Sequence, residues 1–279
     1  MAAKVAVVTG AASGMGKLMA ARLANAGWAV AAVDLPGPQL DDVAQETGAE
    51  PHPCDVADDV QVTATAQAVL ERTGKIDRLV NAAGIARSGR IDDLPASAFE
   101  RSMNVNYLGT VRWVQAVLPA MRARGAGDVI LFASLAGWMP TPAMAAYTST
   151  KFAVVGFAET LAMELAGTGI RLRCVCPAAV QTPMLDDIMA QGISERAEEL
   201  IAGRGSREGG RRDRGIADSA AHRDICFSRH SGQGAVAGAA LLAGIAHRRD
   251  PAVLRRRLTG RWRPRLLLFN LVSFIAEDT

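Results

Sequence analysis

The stretch Val5-Ala-Val-Val-Thr-Gly-Ala-Ala-Ser-Gly-Met-Gly16 decides the fold. It begins with a short run rich in valine, which is typical of a strand buried on both faces. A glycine-rich turn follows, and an Ala- and Leu-rich segment then continues to Gly27, where a helix is expected to end. A second apolar run, Trp28–Leu35, stops at Pro36-Gly37-Pro38. The beginning of the sequence therefore predicts a β-α-β unit.

The same alternation continues along the chain. Helices are predicted at about 39–47, 57–73, 96–124 and 146–166, and strands near 50–54, 76–81, 128–134 and 169–176. Strands that alternate with helices of this length favour right-handed crossovers and a parallel sheet. The predicted fold class is α/β, with one doubly wound parallel sheet and helices on both faces.

The composition is that of a globular protein. Apolar residues make up 49% and charged residues 21% of the 279, which excludes disorder, collagen and coiled coil for the whole chain. A net charge of +3 does not favour nucleic-acid binding. The cysteines and histidines show no spacing typical of a metal site, so no metal is predicted. This use of cysteine favours a reduced, cytoplasmic location.

Charge divides the chain near residue 202. Residues 1–202 carry 16 Lys and Arg against 21 Asp and Glu, whereas residues 203–279 carry 15 Arg, no Lys and 7 acidic residues. We therefore predict a body at 1–202 and a basic, divergent C-terminal tail at 203–279, flexible over 203–232 and with one or two helices. Arginines ahead of the apolar segment 266–275 favour a weak membrane contact. A coding-frame shift near residue 203 and simple divergence are the alternatives.

The glycine turn has the residue types that a dinucleotide needs. Glycines let the backbone approach a pyrophosphate, and the following helix offers free N–H groups and a partial positive charge. The candidate residues are Gly10, Ser13, Gly14, Met15 and Gly16. The alternative is an ordinary flexible turn between a strand and a helix.

Asp34 ends the second predicted strand. A carboxylate at this place can accept hydrogen bonds from the adenosine ribose hydroxyls of NAD, and it repels the 2′-phosphate of NADP. NAD is therefore predicted in preference to NADP. Lys17, next to the glycine turn, is the one residue that could instead serve a phosphate.

Tyr147 and Lys151 stand four residues apart in a predicted helix, so their side chains share a face. A free phenol has a pKa of about 10, whereas a general acid-base works best near the operating pH. An ammonium group one turn away favours the phenolate form. The pair is a candidate proton-transfer centre, and a half-exposed tyrosine beside a solvated lysine is the alternative.

Several motifs resemble, in order and spacing, those of the short-chain dehydrogenase/reductase family. They are the glycine turn, Asn81-Ala82-Ala83-Gly84, Asn106, Ser134, Tyr147-x-x-x-Lys151 and Pro177-Ala-Ala-Val-Gln-Thr182. The resemblance covers about residues 4–190. It implies a single Rossmann-type domain that binds NAD or NADP, so the body at 1–202 becomes a dinucleotide-binding catalytic domain.

The resemblance also implies a role for each catalytic position. Ser134 would hydrogen-bond the substrate oxygen, and Tyr147 would exchange the proton with it. Lys151 would assist Tyr147 and bind the nicotinamide ribose. Asn106 would hold a water that links Lys151 to solvent.

Further positions are implied to contact the cofactor. Asp55 and Val56 resemble a pair that touches the adenine ring, and Thr182 resembles the residue that bonds the nicotinamide carboxamide. Asn81 lies in a segment beside the adenosine whose role is mainly structural. Ala178 stands where the family usually has glycine, which should perturb only a local turn.

These features predict the reversible oxidation of a secondary alcohol to a ketone with NAD. The rival hypotheses are an epimerase, dehydratase or lyase on the same fold, and an NAD-binding regulatory protein without catalysis. Apolar residues after Thr182, which are Met184, Leu185, Ile188 and Met189, favour an apolar substrate.

A homodimer or homotetramer is the predicted assembly. The family usually packs the two long helices that follow its fourth and fifth strands. Here these helices are 96–124 and 146–166, which are apolar on more than one face.

Overall fold

Strands and helices alternate throughout the residues that the computed structural model describes, 3–191. The strands are β1 (Val5–Thr9), β2 (Ala29–Asp34), β3 (Glu50–Pro53), β4 (Arg78–Asn81), β5 (Gly127–Phe132) and β6 (Ile170–Val175). The helices are α1 (Gly14–Asn25), α2 (Pro38–Thr47), α3 (Asp59–Thr73), α4 (Ala96–Met103), α5 (Gly109–Arg124), α6 (Ala145–Glu164) and α7 (Pro183–Ala190).

The six strands form one parallel sheet in the order β3-β2-β1-β4-β5-β6. The chain builds outward from β1 in one direction and then continues from β4 in the other. Strand order therefore reverses between β1 and β4, and ligands of such sheets bind at the carboxyl ends of the strands beside this point. The predicted doubly wound α/β fold is confirmed.

Two core clusters cover the two faces of the sheet. Val7, Leu79 and Val129 belong to one cluster, and the residues next to them in sequence, Val8, Val80 and Ile130, belong to the other. Successive side chains of a strand point to opposite faces, so only strands that are apolar at every position can satisfy both clusters. This requirement explains the continuous apolar runs in the sequence.

The predicted helix at 96–124 is wrong in one respect, because it is not one regular helix. A π-helical turn, Asn104–Leu108, separates α4 from α5. The side chain of Asn106 in this turn forms hydrogen bonds with the backbone of Ile85, in the loop after β4. We attribute the interruption to these bonds, since π-turns are found where a function or a side-chain contact requires them.

Buried charges join the three strands on one side of the sheet. Asp128 of β5 forms ion pairs with Arg78 of β4, at 2.6 Å, and with Arg173 of β6. Asp128 and Arg78 are both almost fully buried. These ion pairs lie near the amino ends of the strands, at the edge of the sheet opposite to the candidate site. They hold β6 against β5 at that edge.

Some predictions fall outside the described residues. These are the domain boundary at 202, the flexible segment 203–232 and the membrane contact of the tail. Within residues 3–191, no helix is both long and apolar enough to cross a membrane. The same residues contain no group of three or more His, Cys, Asp or Glu that could hold a metal ion.

Candidate active site

The glycine turn between β1 and α1 leaves no room for side chains. A Cβ atom on Gly16 would lie 1.9 Å from the carbonyl oxygen of Gly10, and one on Gly10 would lie 2.7 Å from the nitrogen of Ala83. Gly10 also has a φ of 66°, which favours glycine. Ser13 precedes α1 without forming a side-chain cap. The turn therefore brings the first N–H groups of α1 to the switch point of the sheet, where they can bind an anion.

Asp34 is fixed beside this turn. One carboxylate oxygen accepts the N–H of Ala12 at 2.8 Å, and the other accepts the N–H of Leu35 at 2.8 Å. Lys17, the alternative phosphate ligand, forms an ion pair with Glu46 at 2.8 Å. The negative charge at the end of β2 thus lies next to the glycine turn, while the nearby cation is neutralised.

Asp55 and Val56 follow β3 at the same edge of the sheet. The backbone next to them is held to β2, because Cys54 donates its N–H to the carbonyl of Asp34 at 2.8 Å. The Asp55 carboxylate accepts the N–H of Ala57, and Val56 is buried against Gly109. The two residues therefore lie beside Asp34, as an adenine site requires.

Asn81 uses its side chain inside the protein. Its amide oxygen accepts a hydrogen bond from the Thr9 hydroxyl at 3.1 Å, and its amide nitrogen donates to the Thr110 hydroxyl at 2.8 Å. The Thr9 oxygen in turn accepts the N–H groups of Ala82 and Ala83. This network joins β1, β4 and α5, which agrees with a mainly structural role for the Asn81 side chain.

Tyr147 and Lys151 lie together on the first turns of α6. The Lys151 Nζ atom is 5.5 Å from the centre of the Tyr147 ring. It also donates a hydrogen bond of 2.9 Å to the carbonyl oxygen of Phe132, the last residue of β5. Lys151 is only 5% exposed. A buried ammonium group is thus held between the end of the sheet and the phenol.

Ser134 lies just beyond the end of β5 and caps a 3-10 turn, Leu135–Gly137. Its hydroxyl oxygen accepts the N–H of Ala136 at 3.1 Å. A Cβ atom on Gly137 would lie 2.7 Å from the carbonyl oxygen of Lys151, so the turn packs closely on α6. This contact places Ser134 next to the helix that carries Tyr147 and Lys151.

Asn106 is buried and its side chain forms three hydrogen bonds. Its Oδ1 atom accepts the N–H of Ile85 at 2.8 Å, and its Nδ2 atom donates to the Ile85 carbonyl at 2.8 Å and to the Thr150 hydroxyl at 3.0 Å. A Cβ atom on the neighbouring Gly84 would lie 3.3 Å from Oδ1 of Asn106 and 3.8 Å from Nζ of Lys151. Asn106 therefore lies near the lysine, with its amide occupied by the protein.

Thr182 caps α7 and faces the glycine turn. Its hydroxyl oxygen accepts the N–H of Leu185, and its methyl carbon would be 3.5 Å from a Cβ atom on Gly14. The segment after β6 thus returns to the glycine turn.

A pair of thiols behind Ser134 was missed by the sequence analysis. The indole nitrogen of Trp138 donates a hydrogen bond of 3.3 Å to the sulfur of Cys176. A hydrogen bond from Cys174 and this indole bond lower the pKa of Cys176 to about 7, although burial opposes the shift. The hydrogen bond with Cys176 and burial raise the pKa of the Cys174 thiol. The signal was a two-residue spacing on a strand, which puts both thiols on one face.

The fold and this site define a nucleotide-binding α/β protein of the Rossmann type. Residues 4–192 match the sequence model of the family described as short chain dehydrogenase. The protein belongs to this family of oxidoreductases, whose members bind a nicotinamide cofactor.

Two relatives are similar to this chain over most of their own length. The 2-(R)-hydroxypropyl-CoM dehydrogenase of Xanthobacter autotrophicus is 39% identical over 191 residues, which are 65% of this chain and 76% of the relative. The oxidoreductase UcpA of Escherichia coli is 35% identical over 204 residues, 71% of this chain and 77% of the relative.

Solved structures show the same likeness. Levodione reductase has a TM-score of 0.66 at 32% identity, over 72% of this chain and 83% of its own. A variant of actinorhodin polyketide ketoreductase with NADPH has a TM-score of 0.66 at 35% identity, over 68% of this chain and 77% of its own.

The glycine turn gives a first testable prediction. Gly16→Ala should abolish binding of NADH, because the added methyl group must displace the Gly10 carbonyl and distort the turn. Titration of the protein with NADH, followed by nicotinamide fluorescence, measures this loss.

Gly156→Ala is the matched control. A Cβ atom at this helical position meets nothing within 4 Å, so the change should leave NADH binding intact and stabilise α6 by about 0.5–1 kcal/mol. Normal NADH affinity in Gly16→Ala would refute the assignment of the turn.

Proposed function

We propose that the protein is an NAD-dependent oxidoreductase that interconverts an apolar secondary alcohol and its ketone. The main support for this proposal is the position of the Lys151 ammonium group. It is buried, it bonds to the carbonyl at the end of β5, and it lies 5.5 Å from the Tyr147 ring. A phenol in this position can give and take a proton at an oxygen atom of a bound substrate.

The residues at the strand ends fit a nicotinamide dinucleotide. The turn would hold the pyrophosphate through Gly10, Ser13, Gly14, Met15 and Gly16. The remaining contacts would come from Asp34 at the adenosine ribose, from Asp55, Val56 and the backbone of Asn81 at the adenine side, and from Tyr147, Lys151 and Thr182 at the nicotinamide side. When bound, the cofactor supplies the group that accepts or donates the hydride.

Tyr147 transfers the proton, and Lys151 assists this transfer. During oxidation the phenolate oxygen of Tyr147 takes the hydroxyl proton of the alcohol, and during reduction the phenol returns it to the ketone. The ammonium group of Lys151, buried beside the ring, would attract the negative charge that develops on the phenolate oxygen during the transfer.

Ser134 orients the substrate oxygen. Its own oxygen already accepts the N–H of Ala136, and residues 3–191 offer no acceptor for its O–H group. The hydroxyl hydrogen is therefore available to the oxygen of the substrate. A fixed donor at this place aligns the reacting carbon and stabilises charge on the oxygen.

We propose that Asn106 acts in the relay through its main chain. Its amide is held by Ile85 and Thr150, so the side chain shapes the π-helical turn next to Lys151. We propose that the main chain of this turn, including the Asn106 carbonyl, is the place where a relay water would bind.

The surroundings of Tyr147 support an apolar substrate. The Tyr147 ring packs against Ala143 and Met144, and Ala86 and Ile188 pack against the same two residues. Met189, one of the residues expected at the pocket, is 51% exposed. The substrate group next to the reacting carbon would therefore contact small and branched aliphatic side chains.

We also propose a cytoplasmic homo-oligomer. The outer surface of α6 presents Met163, which is 64% exposed. Half-buried Phe152 and Phe157 belong to the same helix. An apolar helix surface of this kind is suited to pack against a second copy of the chain.

Tyr147→Phe tests the proton-transfer role. Turnover of a secondary alcohol should fall about 100-fold or more, because the proton acceptor is gone. NADH should still bind, since the ring and Lys151 remain. Steady-state rates and NADH titration measure the two effects.

Tyr107→Phe is the matched control, because Tyr107 is the other of the 2 tyrosines, its ring contacts Phe157, and the change keeps both the ring and the backbone of the π-helical turn. It should keep turnover close to that of the unmodified protein. Equal activity of Tyr147→Phe and Tyr107→Phe would remove Tyr147 from the mechanism.

Asp34→Ala tests the choice of cofactor. The unmodified protein should use NAD more efficiently than NADP, because the carboxylate accepts ribose hydrogen bonds and repels a phosphate. The substitution should reduce the ratio of kcat/KM for NAD to that for NADP about tenfold or more, since hydrogen bonds to a charged group are lost.

Asp41→Ala, which removes an exposed carboxylate from the nearby helix α2, controls for the change in net charge. It should leave the ratio unchanged. A preference of the unmodified protein for NADP would contradict the role of Asp34 and return Lys17 to consideration.

A further inference from the structure

The end of α7 is bound to the loop that follows β4. Ser88 donates two hydrogen bonds to the Oε1 atom of Gln191, from its N–H at 3.1 Å and from its hydroxyl at 2.7 Å. The two residues are 103 positions apart in sequence, and Ser88 is buried. A single side-chain oxygen thus connects two segments that border the candidate site.

The same face of α7 packs against the segment that leads into α6. Ile188 precedes Gln191 by three positions, so the two side chains lie on one side of the helix. Ile188 packs against the cluster of Ala143 and Met144, which also includes Tyr147. Ile188 therefore packs on the same two residues as Tyr147, and it lies one turn from the Ser88–Gln191 contact.

A third segment completes the surroundings of the ring. Gly89, next to Ser88, donates its N–H to the carbonyl of Ala143 at 2.8 Å. Ala143 has a φ of 61°, a conformation that is unfavourable for alanine and that the surrounding structure must maintain. The loop with Ser88 therefore fixes two segments at once, α7 through Gln191 and the segment before α6 through Ala143.

α7 lies at the surface of the described residues. None of its eight residues is buried. Its two ends make the contacts, because Thr182 lies against Gly14 of the cofactor turn and Ile188 and Gln191 lie against the Tyr147 region. A short helix with so little burial opens easily, so two hydrogen bonds at one end have a large share in its position.

We propose that Gln191, bonded by Ser88, is a positioning residue that holds α7 against the segment before α6, next to Tyr147, and so determines how tightly the apolar alcohol or ketone binds. This inference rests on the proposed function. Gln191 touches neither the reacting atoms nor the cofactor in this account. It acts through Ile188, whose side chain it keeps against Ala143 and Met144, the residues on which Tyr147 also packs.

The chemistry of the contact gives two informative variants. Only an acceptor oxygen is used, so Gln191→Glu keeps the contact with Ser88. Gln191→Met has a similar length and no oxygen, so it removes both hydrogen bonds. Gln67→Met is the control, because Gln67 bonds to Glu71 on the exposed side of α3, away from the site.

Hydrogen exchange of the amides at 184–191 tests the contact without any substrate. Exchange should be faster in Gln191→Met and in Ser88→Ala than in the unmodified protein, and it should be unchanged in Gln191→Glu and Gln67→Met. Unchanged exchange in Gln191→Met would refute the role of Gln191 in holding α7.

Steady-state kinetics with NAD and a secondary alcohol tests the effect on the substrate. Gln191→Met should raise KM for the alcohol about threefold to tenfold, the effect of a lost hydrogen bond. It should leave KM for NAD unchanged, and Gln191→Glu should restore the KM of the unmodified protein. Faster exchange with an unchanged KM for the alcohol would overturn the positioning role. Absence of alcohol turnover in the unmodified protein would contradict the proposed function instead, which the exchange data do not depend on.

Discussion

The hydrogen bond from the Lys151 ammonium group to the Phe132 carbonyl is the interaction on which the site depends. Burying an ammonium group is costly unless it has partners. This bond supplies one partner and at the same time joins α6 to the end of β5. Close packing of Gly137 against the Lys151 carbonyl joins the same two elements again, on the side of Ser134. The positions of the serine, the phenol and the ammonium group are therefore set together by the contact between one strand end and one helix.

The parallel sheet brings this centre to the cofactor turn. All carboxyl strand ends lie at one edge, and the order of strands places β1 and β4 at the middle of it. Thr9 and Asn81 connect these two strands by side-chain hydrogen bonds directly below the glycine turn. This buried polar network stiffens the region where a pyrophosphate would lie. Its hydrogen bonds run between groups of the protein itself, which rigidifies a buried network.

Much of this arrangement could be predicted from the sequence, and the remainder depends on contacts between distant residues. Local patterns predicted the strands, the glycine turn and the one-turn spacing of Tyr147 and Lys151. They could not show that Lys17 pairs with Glu46, or that the Asn106 amide is occupied by Ile85 and interrupts a helix. Ser88 and Gln191 had no signal at all, since neither belongs to a pattern and their contact joins segments far apart in sequence.

The proposed reaction transfers a hydride between the carbinol carbon of an alcohol and a nicotinamide bound beside Tyr147. The most direct measurement uses a secondary alcohol with deuterium on the carbinol carbon, incubated with the protein and NAD, followed by mass analysis of the nicotinamide product. Each NADH molecule formed should contain one deuterium atom, and the amount of labelled NADH should equal the amount of ketone. Conversion of the alcohol with no deuterium in the nicotinamide would contradict the proposed reaction.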